Sequence, residues 1–169
     1  MLALAKPLLD RFCADEAELI TNENSGYENF GQDECLLVFE SPLKEQTRLY
    51  CYLMNHRATL IFGDWSCHFD YNEHSVAELM EDMDLILNHE AYVLTVSSRA
   101  FILSILCHGN KMLLSSDAHL KMVQLFQNTD FLHDAATGRV SFDLLYWDQP
   151  PEIGQNLLKK LLDPAEQPA

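Results

Sequence analysis

Apolar and polar residues alternate in short runs through the first half of the chain. Over 47–54, Leu49, Cys51 and Leu53 alternate with Arg48, Tyr50 and Tyr52. Over 65–71, Trp65, Cys67 and Phe69 alternate with Ser66, His68 and Asp70. A period of two places one set of side chains on each face of a strand. Between these runs lies 57–62, set off by Asn55-His56 on one side and Gly63-Asp64 on the other. Both dipeptides are turn signals, and the asparagine suits a left-handed turn position. The pattern predicts an antiparallel meander over 47–71, with Trp65, Cys67 and Phe69 inward and Ser66 and His68 outward. A one-residue slip would reverse every one of those assignments. An earlier strand is predicted at 35–40, closed by Ser41-Pro42.

The period changes to that of a helix over 76–88. Val76, Leu79, Met80, Met83, Ile86 and Leu87 form a stripe, and Ser75 with Glu78 reads as a capping box at its start. Glu78, Glu81 and Asp82 lie off the stripe, toward solvent. Leu8, Phe12 and Leu19 predict a first helix over residues 1 to 20, with Pro7 marking its start, and 21–34 reads as a polar loop. Further strands are predicted over 92–97, 101–107, 111–114 and 140–147. A short helix capped by Asp117 runs through Phe126. A last helix follows Pro150-Pro151, carries Ile153, Leu157 and Leu161 on one side, and stops at Asp163-Pro164.

Strands thus come in runs, with helices between the runs. That order predicts an α+β fold with a mainly antiparallel sheet and flanking helices. The expected organisation is a single domain over 1–163 and a flexible tail over 164–169.

Composition narrows the function class. Hydrophobic residues make up 48 % of the 169, enough for a substantial core. The formal net charge is −15, which opposes nucleic acid and anionic membrane as partners and favours a cationic one. The five cysteines are widely spaced, without a CxxC pair, and most lie in apolar runs. They suit a reducing compartment. With no apolar stretch of membrane-spanning length and no basic, apolar leader, the expected location is the cytoplasm.

Candidate chemistry is sparse. Glycine-rich phosphate loops, a GxSxG elbow and HExxH are all missing from the sequence. His68 and Asp70 share a strand face and His74 follows closely, but Cys67 points the other way and no second ligand pair accompanies them. Asp117-Ala118-His119 and His133-Asp134 lack a third member. The expectation is no metal, no cofactor and no catalysis. Charge is more informative. Between Arg57 and Arg99 there is no lysine or arginine, while Asp64, Asp70, Glu73, Glu78, Glu81, Asp82, Asp84 and Glu90 fall in that interval. These acids must make a local negative surface, suited to steering a basic protein partner. The candidate partner-binding residues are Asp64, His68, Asp70, Glu73, Glu78, Glu81 and Asp82, with Tyr146 and Trp147 as aromatic anchors.

The stretch Leu60-Ile61-Phe62-Gly63-Asp64-Trp65-Ser66-Cys67-His68-Phe69-Asp70, followed by the acidic helix and the strand 92–97, resembles small bacterial immunity proteins of polymorphic or contact-dependent toxin systems. Leu144-Leu145-Tyr146-Trp147-Asp148 resembles the aromatic strand near the end of such chains. Ser66 or Cys67 stands where that pattern has the first histidine of a His-x-His pair. The resemblance implies a protein that neutralises a cognate toxin by contact, the toxin being a basic nuclease-type domain. The order of elements also resembles acidic type III secretion chaperones, which implies, as the alternative, binding of an effector segment. The added strand 140–147 and the helix after it depart from that second pattern.

Overall fold

A computed structural model of the chain describes residues 2–12, 17–21, 23, 31, 34–41, 47–99, 101–109, 111–113, 124 and 127–147. The chain divides into two compact units, Met1–His89 and Glu90–Ala169. Each holds one antiparallel sheet, so the fold is α+β. The helix expected from Asp117 to Phe126 is described only at Gln124, and the last helix and tail lie outside the described residues.

In the first unit, α1 (Leu2–Arg11) precedes five strands: β1 (Ala17–Thr21), β2 (Cys35–Glu40), β3 (Arg48–Leu53), β4 (Arg57–Phe62) and β5 (Trp65–Asp70). They pair in sequence order, and α2 (Glu73–Leu87) follows. The register stacks the inward side chains in rows across the sheet. One row is Phe39, Leu49, Phe62 and Trp65; the next is Leu37, Cys51, Leu60 and Cys67; the third is Cys35, Leu53, Ala58 and Phe69. All but Cys67 are buried. Period-two alternation therefore delivers one dry face, as the meander requires. Trp65 and Phe69 are buried and Ser66 and His68 exposed, so the faces of β5 are those the alternation predicts. Helix α1 brings Leu8 and Ala5 into the core, and the ring of Phe12 meets Phe39 edge-on at 6.4 Å.

Both tight turns of the meander form. Gly63 has φ 59 and Asp64 is not left-handed, so the Gly63-Asp64 loop is of the type with glycine first, whose twist matches the strands. At Asn55-His56 the expected left-handed asparagine is absent. That turn is closed by Met54 N–H donating to Arg57 O at 3.0 Å. The hydroxyl of Tyr71 lies 2.5 Å from Met54 O and 3.0 Å from Arg57 O, so a side chain from beyond β5 completes it. Burial pushes the Tyr71 phenol up to about 12, which keeps it a donor at all ordinary pH. Tyr71→Phe leaves the Met54 carbonyl without that donor. We expect a loss of about 1 kcal/mol in urea unfolding; an unchanged midpoint would show that water replaces the hydroxyl at no cost.

Three local assignments differ from the sequence reading. The first helix ends at Arg11, with Pro7 inside it, and Ala17–Thr21 is an edge strand paired with β2. Leu19 fits either period, and the β2 backbone decides the matter by supplying the ladder. Helix α2 starts at Glu73, not after Ser75. Asn72 is its N-cap, in an extended conformation, and accepts from Ser75 N at 3.0 Å. Ser75 is thus the third helical residue, not the cap. Finally, Thr129–Ala136 forms a helix, α3, that the period did not reveal.

In the second unit, β6 (Ala91–Ser97), β7 (Ile102–His108), β8 (Lys111–Leu113), α3 and β9 (Ser141–Tyr146) build a sheet of order β8-β7-β6-β9. One face carries Tyr92, Leu94, Val96, Leu103, Ile105 and Cys107, and Phe131 of α3 is buried among them. Helix α3 is capped at its start by Asn128, which accepts from Asp130 N and Phe131 N. Its end is a complete left-handed stop: Gly138 has φ 68, its N–H donates to Ala135 O, and Arg139 N–H donates to Asp134 O.

Candidate functional site

Of the acids predicted to form one surface, all but Glu90 sit on β5, on the turn before it and on the helix after it, within the first unit; Glu90 belongs to the second unit, where it lies 3.5 Å from His108. Asp64 occupies the exposed β4–β5 turn. His68 and Asp70 project from the outer face of β5 and are exposed. The β5–α2 connection is only Tyr71-Asn72, so the strand delivers its chain directly into the acidic helix. Glu73, Glu78 and Glu81 are exposed along α2, while Leu79, Met83 and Ile86 are buried on its other side. Glu73 in the first turn also favours the positive end of the helix dipole.

Each polar group has a physical setting. His68 Nδ1 is 2.9 Å from Thr59 Oγ1, its directly opposite neighbour on β4. That bond holds the ring against the outer face of the sheet. His74 Nε2 lies 3.3 Å from Glu78 one turn along, an exposed pair of small energetic weight. Asp84 is bound by Arg11 of α1. The cation-free interval is therefore not free of cations in space, because a residue far back in the chain reaches into it.

Asp82 departs from the sequence reading. It is half-buried rather than turned to solvent, since it stands one helical turn from both Leu79 and Ile86 on the buried side. Burial, with Glu81 and Glu78 adding repulsion, pushes its carboxyl up to about 7. At neutral pH it is only partly ionised, so it contributes less to the negative surface than its neighbours.

The aromatic anchors also differ in placement. Trp147 is buried, 4 % exposed, so its ring is core and is not offered to a partner. Tyr146 is half-buried and packs on the cluster around Phe131. It lies opposite Tyr92 on β6, and the Tyr92 hydroxyl donates to Gly109 O at 2.8 Å.

The other chemical candidates among the described residues are placed as follows. Cys67 and His68 lie on opposite faces of β5. Among the described residues no group of three His, Cys, Asp or Glu is placed to hold a metal ion. His133 Nε2 lies 2.8 Å from Arg139 Nη2, so it accepts from the guanidinium. Asp134 is buried and faces Arg139 Nε at 3.5 Å. This cluster ties the end of α3 to the chain that follows it. Asp117 and His119 lie outside the described residues. Cys35, Cys51 and Cys107 are buried free thiols, and burial pushes the last two up to about 12. Among the described residues no helix is long and apolar enough to cross a membrane.

Two neighbours of the site were not singled out by the sequence reading. Thr59 was within reach, because counting back from the Gly63-Asp64 turn places it opposite His68. Arg11 had no local signal at all. On the same outer face the Tyr52 hydroxyl donates to Glu34 at 2.6 Å, and this bond, with one from Gly31 N–H, holds the Glu34 carboxyl below its usual range.

Architecture and site together define an α+β protein with an acidic strand–helix surface. Compared with known protein families, curated proteins and solved structures, the chain matches none.

Proposed function

We propose that this chain acts by binding a basic protein partner through the acidic surface of β5 and α2, in the manner of an immunity protein that masks a cationic toxin domain in the cytoplasm. The observation that carries the reading is the exposure of Asp64, Asp70, Glu73, Glu78 and Glu81 on two consecutive elements. No lysine or arginine lies within 58–98; from outside that interval Arg11 binds Asp84 and Arg57 stands opposite Asp70, so the acids outnumber the cations near them. Such a surface raises the encounter rate with a cationic partner and repels acidic competitors. Binding by contact needs no catalytic group, cofactor or metal.

The test is a charge reversal of Glu73, Glu78 and Glu81 to lysine. Asp82 is left alone, because a lysine at a half-buried position would disturb folding rather than binding. All three replaced residues are exposed, so the chain should stay folded, with stability in urea lowered only modestly, by about 1 kcal/mol for losing Glu73 at the positive end of the helix. Association with the product of the neighbouring reading frame should slow about tenfold or more at low salt, and the difference should shrink as salt rises. Equal rates for both proteins at both salt concentrations would place the interface elsewhere.

A further inference from the structure

We propose that the free edge of β5 takes up an extended segment of the cationic partner as an added antiparallel strand, one that alternates cationic and apolar residues. The proposal rests on the acidic-surface reading above and adds how the partner is held.

The hydrogen-bond phase of the meander decides which backbone groups of β5 face away from β4. Phe62 and Trp65 flank a two-residue turn, so they are a bonded pair, and the alternation of antiparallel ladders makes Leu60 with Cys67 and Ala58 with Phe69 the next ones. The phase is confirmed on the other side of β4, where Met54 N–H donates to Arg57 O, the position at which a bonded pair is due. Trp65, Cys67 and Phe69 therefore spend their backbone groups on β4. Ser66, His68 and Asp70 turn theirs the other way, toward the side on which β5 has no neighbour in the sheet among the described residues. Asp70 O is taken by Asn72 N–H at 2.9 Å. The Cys67 thiol reaches His68 O at 3.9 Å, a weak contact that leaves that oxygen able to accept a second donor. Among the described residues, the N–H and C=O of Ser66 and the N–H groups of His68 and Asp70 have no backbone partner, and with His68 O they form a short row of donors and acceptors. Ser66, His68 and Asp70 are all exposed.

An edge of this kind is a template for another strand. Its side chains choose which one. Residues paired directly with Ser66 and His68 project on the outer face, beside Asp70 and near the Asp64 turn, where cations are favoured. Arg57 stands opposite Asp70 on β4, yet no ion pair within 4.0 Å joins them among the described residues, so the carboxylate is open to a new partner. Residues in between project on the inner side, next to half-buried Cys67 and the buried Trp65 and Phe69, where apolar side chains extend the core. A second copy of this chain is a poor occupant. It would set Asp64 and Asp70 against like charges, on a molecule of net charge −15.

The test uses a short, capped, fluorescein-labelled peptide of alternating lysine and valine, measured by anisotropy at low salt. Two methylated forms serve as controls. In the proposed pairing the lysines lie opposite Ser66 and His68 and direct their N–H groups at β5. N-methylation of the lysines should therefore weaken binding at least tenfold, while N-methylation of the valines should change it little. Ser66→Pro should weaken the unmodified peptide similarly, because it removes an outward N–H that the sheet does not use. The methylated peptides keep the test independent of whether that variant folds. Binding that is indifferent to lysine methylation would overturn strand addition and leave the acidic surface as the docking site. No binding of any lysine peptide would overturn both.

Discussion

Phe131→Ala is expected to destabilise the Glu90–Ala169 unit by about 3–5 kcal/mol, the usual range for emptying a buried phenylalanine site. Phe131 is 2 % exposed and sits among Tyr92, Leu94, Val96, Leu103, Ile105 and Cys107. Helix α3 has eight residues, too few to persist by propensity, and its only other buried residue is Asp134. Phe131 is thus the one apolar side chain by which the helix itself is buried. Its caps, Asn128 at the start and Gly138 at the end, fix where the helix begins and stops but add little burial. Urea unfolding followed by far-UV circular dichroism should show the lower midpoint, with helical signal lost even in the absence of denaturant. A loss under about 1 kcal/mol would mean that the sheet face closes over the gap unaided.

Asp82→Asn is expected to stabilise the protein at pH 8 and to do little near pH 4. The carboxyl of Asp82 is raised to about 7 in the folded chain, from 3.8 when free, with burial as the first cause and Glu81 and Glu78 as the next. Between those two values the unfolded chain gives up this proton while the folded chain keeps it. Folding stability from this group is therefore greatest in acid, falls as pH rises from about 4 to about 7, and is level above that. Full conversion of the shift would give about 4 kcal/mol. Asp82 is only half-buried, so solvent screening reduces the expected gain to about 1–3 kcal/mol at pH 8. Asparagine keeps the shape and removes the charge. Urea titrations of both proteins at pH 8 and pH 4 decide it: a stability difference that is the same at both pH values would rule out the ionisation of Asp82 as its cause.

The meander was legible because its signals are local. Alternation, two tight turns and a glycine at Gly63 specify strands β3 to β5 almost to the residue, and counting from the turn even pairs His68 with Thr59. The helix stripe was legible for the same reason, although its start was not. Ser75 with Glu78 looks like a cap, and only the extended conformation of Asn72, set by the strand that runs into it, shows which residue does the capping. Strand β1 failed for a nonlocal reason. Its few residues have no pattern of their own and are ordered by pairing Leu19 with Leu37 across a long connection. Helix α3 leaves no stripe because Phe131 is its one buried apolar residue, and its left-handed stop at Gly138 looks the same in sequence as a turn before the strand that follows. In the site, the exposed acids could be counted from sequence, but the Arg11–Asp84 contact spans most of the first unit and leaves no trace in spacing. The burial of Trp147 was equally hidden, since an aromatic at a strand end fits a surface anchor as well as a core plug.

The short connections of α2 carry a consequence for recognition. The helix begins three residues after β5 ends and stops at Asn88, followed at once by His89 in a left-handed conformation, φ 64. With Asn72 holding one end and three buried residues holding its side, the helix has no slack. It therefore works as a ruler. At about 1.5 Å per residue, Glu73, Glu78 and Glu81 stand about 7.5 Å and then about 4.5 Å apart along the axis. At about 3.6 residues per turn they spread over roughly 140° of its circumference. A basic partner of the kind proposed would meet these charges at set intervals and would spend little ordering entropy on the backbone that carries them. Under that proposal, selectivity among basic proteins would come from spacing as much as from charge, because a cation cluster of the right total but the wrong interval cannot satisfy all three carboxylates at once.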